Sequence, residues 1–319
     1  MTNVKSLNIV SNGIDVPKDF SLTRRGRVTF FLKEKYEYPV LKQTLTDFSF
    51  KKLNEENSAF VGRRPCVAIP VNGLKDKRLI IRHYSHGGLW GRLAGDVLWG
   101  QSRPLKELFI AERALEQNVD TAEVVALRFT NIFGPLCRAD IFTVEISGGE
   151  DLITFLTGRT EGDVLSHKRT LIRHTARAVR RMHDAGIYHA DLHLKNILAK
   201  VDDGCKVYII DLDKSELRSA TAGGGLSIEQ RMDNILRLDR SVEKFGEWKP
   251  GAGLVTRADR LRFLRDYLRG CTAEGVTDFS DWKALARKYA TRHVAHRLWW
   301  KLLGVMGIRL YDFEGQERQ

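Results

Sequence analysis

The chain has 319 residues, 43% of them hydrophobic. That is enough for one large domain or two lobes around a cleft, and too apolar for a disordered chain. Its four cysteines, Cys66, Cys137, Cys205 and Cys271, stand far apart with no C-x-x-C pair, which argues against a disulfide framework or a zinc site and for a reducing compartment. The net charge of +12 favours anionic partners or serves as a solubilising surface, no run of about 18 apolar residues is present to span a membrane, and the opening stretch lacks the pattern of a secretory signal.

Residues 1–55 are polar and mixed and read as an N-terminal extension or peripheral layer. "CVAIPV" (66–71) predicts a strand, the Asn-Gly pair of "NGLKD" a tight hairpin turn, and "RLIIRHY" (78–84) the returning strand. "SRPLKELFIAERALEQN" (102–118) predicts a helix capped by Ser102, with Pro104 in its first turn. Strands follow at 123–130 and 140–146, then a break at "SGGED" (147–151), where a short helix begins. The next helix is expected from a Ser166 cap to Gly186, with Leu171, Thr175, Ala178, Val179 and Met182 on one side and a solvated stripe of Arg169, Arg173, Arg177 and Arg180 on another. "KVYIIDLD" (206–213) predicts a strand after a turn at "VDDG" (201–204), and helices dominate from 227 onward.

This order predicts an α+β fold of two lobes: a small antiparallel-sheet lobe with one main helix at 56–147, and a larger, mainly helical lobe at 148–319.

The chemistry concentrates in "YHADLHLKNIL" and "YIIDLDK". Phosphoryl transfer needs one carboxylate to take the proton of the attacking hydroxyl, and a carboxylate and an amide oxygen to hold magnesium, a hard cation. His189, Asp191 and Asn196 keep the protein-kinase spacing H-R-D-x-x-x-x-N with Ala190 in place of Arg, and Asp211 takes the place of the Asp of D-F-G. Asp191 is therefore the expected base, with Asn196 and Asp211 the expected magnesium ligands. His189 reads as a loop brace and Asp213 as part of a bracing network. His193 has two readings, a contact to the transferred phosphate or a surface histidine. A zinc site at His189, Asp191 and His193 fits less well, because the downstream carboxylate suits magnesium.

The small lobe is expected to hold the nucleotide. "VGRRPCVAIPV" stands where kinases have a Gly-rich loop, but with the single glycine Gly62 it is a weak phosphate cradle. Arg82 replaces the kinase lysine and can hold phosphate through its planar fork. Glu107 on the following helix is its expected ion-pair partner.

"RLIIRHYSHGGLWGRLAGDVLWG", read with the loop and strand end above, resembles the lipopolysaccharide inner-core sugar kinases, most of all the branch acting on Kdo (3-deoxy-D-manno-octulosonic acid). The R-H-Y-x-x-G-G element is matched by Arg82, His83, Tyr84, Gly87 and Gly88, and a late N-x-x-R-L-x-R-S segment by Asn234, Arg237, Leu238, Arg240 and Ser241. His86 stands where a second Arg is usual, and Asp-Leu-Asp where Asp-Phe-Asp is common. The resemblance implies ATP as donor, magnesium as cofactor, a lipid A-linked Kdo acceptor, no nucleic acid, and peripheral attachment to the cytoplasmic face of the bacterial inner membrane.

"HRLWWKLLGVMGIRLYDF" (296–313) mixes aromatic, apolar and basic residues, and reads either as a membrane-interface segment or as a last core helix. Rival readings are a heptose kinase, an aminoglycoside-type phosphotransferase and an inactive kinase-like scaffold at a membrane. The sequence carries no signal for an oligomeric state.

Overall fold

The computed structural model describes residues 8–10, 14–36, 39–47, 66–70, 78–85, 95–201, 204–218, 225–248, 255–269 and 291. Gly62, the "NGLKD" turn, His86, Gly87, Gly88, Cys271, the expected last helix (281–304, apart from residue 291) and the segment 296–313 lie outside them.

The longest strands belong to the small lobe. β1 (Asn8–Val10) and β2 (Ile14–Val16) form a separate pair. β3 (Phe20–Arg25), β4 (Val28–Lys33), β5 (Cys66–Pro70), β6 (Arg78–His83), β7 (Leu98–Trp99), β8 (Val124–Phe133) and β9 (Leu136–Val144) form one antiparallel sheet. Its order is β3-β4-β8-β9-β6-β5, with β7 also on β9. The segment read as an N-terminal extension thus supplies two strands of this sheet. Pairing of β4 along β8, Phe31 opposite Leu127, makes it so. No period in 20–33 announced this, because both faces of β4 are buried and its Thr-Phe-Phe-Leu core does not alternate.

Each face of the sheet carries a helix. Phe30, Leu32, Val67, Leu79, Ile81 and Phe142 pack with Leu41 and Leu45 of α1 (Pro39–Asp47), a helix the sequence reading did not include. The opposite face, with Phe31, Leu127, Phe129 and Ile141, packs on α2 (Ser102–Glu116) through Leu105, Leu108 and Ala111. α2 has no side-chain cap: Ser102 is already inside the helix and Gln101 precedes it. Pro104 sits in the first turn, where the amide it lacks would have no intrahelical partner.

The larger lobe starts at β10 (Glu150–Asp151), which runs into α3 (Leu152–Gly158) with Asp151 as its N-cap. α4 (Glu161–Asp184) follows. It begins five residues before the expected Ser166 cap, because the Thr160 hydroxyl accepts the Asp163 N–H and closes the N-terminus earlier. Arg169, Arg173 and Arg177 are exposed as expected. Arg180 is not: it is buried and bonded to Asp184 through Nε.

β11 (Ile187–Tyr188) leads into the polar loop, and β12 (Ile197–Lys200) pairs with β13 (Lys206–Ile209) as a hairpin. The expected strand over 206–213 stops at Ile209, since Asp211 adopts a left-handed conformation with φ 59° and ψ 64°. β14 (Glu216–Leu217) pairs with β11. α5 (Ile228–Trp248) and α6 (Arg257–Arg269) complete the described helices. Among the described residues no helix is long and apolar enough to cross a membrane.

Candidate active site

Gly186, at φ 75°, turns the chain out of α4 in a conformation that suits a residue without a side chain. The polar loop that follows is fixed from within by His189, which has no exposed surface. Its Nδ1 accepts the Asp191 N–H at 3.1 Å and its Nε2 meets the Ile210 carbonyl at 3.1 Å. Both bonds are made only by the neutral ring protonated on Nε2, and burial pushes the imidazole pKa below its usual value.

Asn196, also buried, gives its Nδ2 to the Asp191 carbonyl at 2.9 Å. Its own carbonyl accepts the Ile210 N–H at 3.0 Å. Ile210 is therefore held at both peptide groups, by Asn196 on one side and His189 on the other. Asp211 follows directly and leaves the strand in its left-handed conformation. These four hydrogen bonds tie Asp191 and Asn196 to Ile210, the residue next to Asp211. The Asn196 amide nitrogen is thus committed to the loop. Asp191 and Asp211 keep side-chain exposures of 27% and 41%, so both carboxylates are reachable from the cleft.

His193 precedes a short 3-10 turn, and its Nε2 lies 3.9 Å from Asp191 Oδ1. Burial lowers its pKa, while Asp191 and Asp211 pull the other way. It is one-third exposed and beside the carboxylate, a position compatible with both readings made of it.

From the small lobe, Arg82 on β6 reaches into the same place. Its Nη2 bonds Glu107 Oε1 on α2, and Glu107 Oε2 accepts the Tyr84 hydroxyl at 2.5 Å. Arg82 also lies over the Tyr84 ring, 4.8 Å from its centre. Burial opposes the Arg82 charge, but Glu107, Tyr84 and Asp211 together outweigh it and the guanidinium holds its proton more firmly than usual. Burial pushes the Glu107 carboxyl up, against the pull of Arg82. The other nitrogen, Nη1, is buried and has no hydrogen-bond partner among the described residues. It lies 4.0 Å from Asp211 Oδ1 and 3.9 Å from Asp213 Oδ2.

Asp213 is held by a residue the sequence reading passed over. Arg103, in the first turn of α2, donates Nε to Oδ1 at 2.8 Å and Nη2 to Oδ2 at 2.5 Å. With its carboxylate gripped on both oxygens, Asp213 acts as a brace between the lobes. The late N-x-x-R-L-x-R-S segment has a role here too. Asn234 Oδ1 accepts the His189 N–H at 3.0 Å, and Ser241 Oγ accepts the Leu194 N–H at 3.1 Å. Both lie on α5, about two turns apart, so one helix holds two points of the loop. Behind them His183 Nε2 lies 3.4 Å from Asn234 Oδ1, and its Nδ1 is 2.8 Å from the Tyr267 hydroxyl of α6. The motif spacing signalled Asn234 and Ser241 as a group; nothing in the local pattern signalled Arg103, His183 or Tyr267.

The donor set fits a nucleoside triphosphate with magnesium. An orphaned guanidinium nitrogen suits a phosphate oxygen, and an amide oxygen with a carboxylate suits a hard cation that keeps several waters. Among the described residues no group of three or more His, Cys, Asp or Glu converges as a metal cage.

The model of the Lipopolysaccharide kinase (Kdo/WaaP) family matches residues 71–267. The chain is 32% identical over 168 residues to the 3-deoxy-D-manno-octulosonic acid kinase of Vibrio cholerae serotype O1, covering 51% of this chain and 65% of that one. It is 31% identical over 170 residues to the enzyme of the same name from Haemophilus influenzae, again 51% and 65%. With that of Photobacterium damsela subsp. piscicida it shares 32% over 196 residues, 60% of this chain and 74% of the relative. The matched region thus spans just under two thirds of the first two relatives' length. A solved structure described as WaaP in complex with acyl carrier protein superimposes with a TM-score of 0.50 at 21% identity, covering 80% of this chain and 97% of that chain. It supports the two-lobed kinase-like fold.

Proposed function

This chain belongs to the lipopolysaccharide kinase (Kdo/WaaP) family, and from that membership we propose that it transfers the terminal phosphoryl group of ATP to a hydroxyl of the Kdo residue on a lipid A-linked inner core. The observation that carries the reading is the buried Arg82 Nη1, hydrogen-bonded to nothing among the described residues and within 4.0 Å of both Asp211 and Asp213. A buried donor left unmatched is costly unless a ligand completes it. A phosphate oxygen between Arg82 and the Asp191 loop supplies that acceptor.

In this reading Asp191 orients the sugar hydroxyl and takes its proton. The His189 bond to the Asp191 N–H and the Asn196 bond to its carbonyl hold that carboxylate's backbone still. Asn196 and Asp211 are the residues for magnesium, which when bound neutralises charge on the phosphates. Arg82, steadied by Glu107, contacts the phosphates, and Arg103 with Asp213 keeps the two lobes in register. That the three relatives are all 3-deoxy-D-manno-octulosonic acid kinases supports Kdo over heptose as the acceptor sugar. A place on the cytoplasmic face of the inner membrane, as a peripheral protein, follows from a lipid-linked acceptor and accords with the +12 charge.

The test is incubation of purified protein with labelled ATP, magnesium and a panel of Kdo-bearing and heptose-bearing lipid A precursors. Label is expected on the Kdo-bearing lipids whether or not heptose is present. Transfer only to heptose-bearing lipids, or full turnover in Asp191→Ala, overturns the assignment.

A further inference from the structure

We propose that one end of the small-lobe sheet is a docking edge for an anionic lipid surface. Three strand ends meet there. The end of β3 and the β3–β4 turn carry Arg24, Arg25 and Arg27, all exposed, their side chains making no hydrogen bond or ion pair among the described residues. The neighbouring β8–β9 turn carries Ile132 and Phe133, and β7 sets Trp99 against Leu136 at the start of β9. Trp99 is 79% exposed and Phe133 82%, the two most exposed large hydrophobic side chains among the described residues. The turns adjoin: Asn131 N–H donates to the Arg27 carbonyl at 2.8 Å, and Gly100 N–H donates to the Pro135 carbonyl at 2.9 Å.

Two features favour a lipid surface over a protein. The aromatic residues stand exposed at strand ends, next to the turn Gly134–Pro135 and to Gly100, so they offer side chains to insert. The side chains of the three arginines are unpaired among the described residues, and the nearby Asp96 is neutralised by Arg138, which leaves a positive surface that matches an anionic headgroup layer; Trp with Arg at an interface is the pairing that layer favours. Insertion is also cheap for the backbone, because the tip residue Pro135 has no N–H and its carbonyl is already bonded.

The edge adjoins the cleft. Trp99 precedes Arg103 by four residues, a span of at most about 14 Å even if fully extended, and Arg103 reaches Asp213. A bilayer held at Trp99 would lie beside the cleft, where a lipid-linked acceptor has to enter. This use of the edge rests on the reading of the acceptor given above; the binding itself does not.

The experiment is co-sedimentation of the full chain with vesicles, without ATP or acceptor. One set is phosphatidylcholine alone, and the other roughly three parts phosphatidylcholine to one part phosphatidylglycerol. Wild type is expected on the anionic vesicles. Trp99→Ser with Phe133→Ser should release most of it. Replacing Arg24, Arg25 and Arg27 by Ser should weaken anionic binding by about fivefold per arginine, with an unchanged thermal midpoint in both variants. Undiminished binding by both variants overturns the proposal, as does absence of wild-type binding. A lipid-free self-association that Trp99→Ser abolishes also overturns it, assigning the edge to a second copy. Transfer to a water-soluble Kdo acceptor, measured separately, tells the two readings apart: if it is absent while the vesicle results hold, only the kinase reading falls.

Discussion

Arg103 grips Asp213 by two parallel bonds, at 2.8 and 2.5 Å, and so fastens the first turn of α2 to the turn that carries Asp211. The two residues come from different lobes. The contact fixes the distance between the Arg82–Glu107 pair above the cleft and the Asp191 loop below it. A lysine can keep the charge but not the fork. We expect Arg103→Lys to lower kcat about tenfold to a hundredfold, since small misplacements of reacting groups have large effects on rate. KM for ATP should change far less. Steady-state kinetics at varied ATP checks this, and unchanged kcat would remove Arg103 from the positioning role.

Glu107 is fully enclosed, and Arg82 is its cation. Arg82→Ala leaves that carboxylate buried beside the Tyr84 hydroxyl with no positive partner. The expected loss is about 3–5 kcal/mol of folding stability, read by chemical denaturation. Adding Glu107→Gln should recover part of it, because the two substitutions share one interaction. Equal, additive losses would show that the pair is not coupled.

Asn234 holds the His189 N–H and, through His183, joins the loop to Tyr267 on α6. Removing its oxygen in Asn234→Ala frees the loop without touching any group proposed to meet substrate. Turnover should fall about tenfold or more with little change in ATP affinity. Tyr267→Phe, two hydrogen bonds further away, should have a smaller effect in the same direction. An effect of Tyr267→Phe larger than that of Asn234→Ala would contradict the chain of contacts.

The pH dependence of stability follows from the histidines. Burial, then the Arg231 charge, sets His183 well below the usual value of 6.5. Burial likewise lowers His189. Below 6.5 the unfolded chain takes up protons at these positions before the folded chain does, so stability falls as pH drops beneath that value. Each such group contributes at most about 1.4 kcal/mol per pH unit. His83 works in the opposite sense. Burial lowers its pKa, but Asp140 and Asp96 outweigh burial and the net shift is upward. Its contribution is complete below 6.5 and is lost as pH rises through the raised value. Thermal midpoints between about pH 5 and 8 should therefore decline on the acid side, and His183→Gln should flatten that decline. An unchanged acid slope in His183→Gln would rule out the buried ring as its source.

Asn196→Ala removes both the tie to the Asp191 carbonyl and one proposed magnesium ligand. Activity should fall, and the magnesium concentration for half-maximal rate should rise, about tenfold or more. A lower rate with unaltered magnesium dependence would leave Asn196 as a loop brace alone.

The sequence by itself singled out the loop. His189, Asp191, Asn196 and Asp211 fall within 23 residues of one another, and a helix, a loop and a hairpin of that length have few ways to arrange them. Their spacing therefore carried the geometry, and the two-lobed order of strands and helices was legible from hydrophobic periods alone. Tertiary structure decided the rest. Arg103 and Asp213 are 110 residues apart, and His189 and Asn234 45. No local period records that such residues meet, because their meeting depends on how whole elements pack. The same holds for β3 and β4: β4 is placed by cross-strand bonds to β8, about a hundred residues on in the sequence, and β3 by its bonds to β4, and a strand buried on both faces, as β4 is, leaves no alternation to read. Helix starts were decided the same way at small scale, where the Thr160 hydroxyl rather than Ser166 found the free amide.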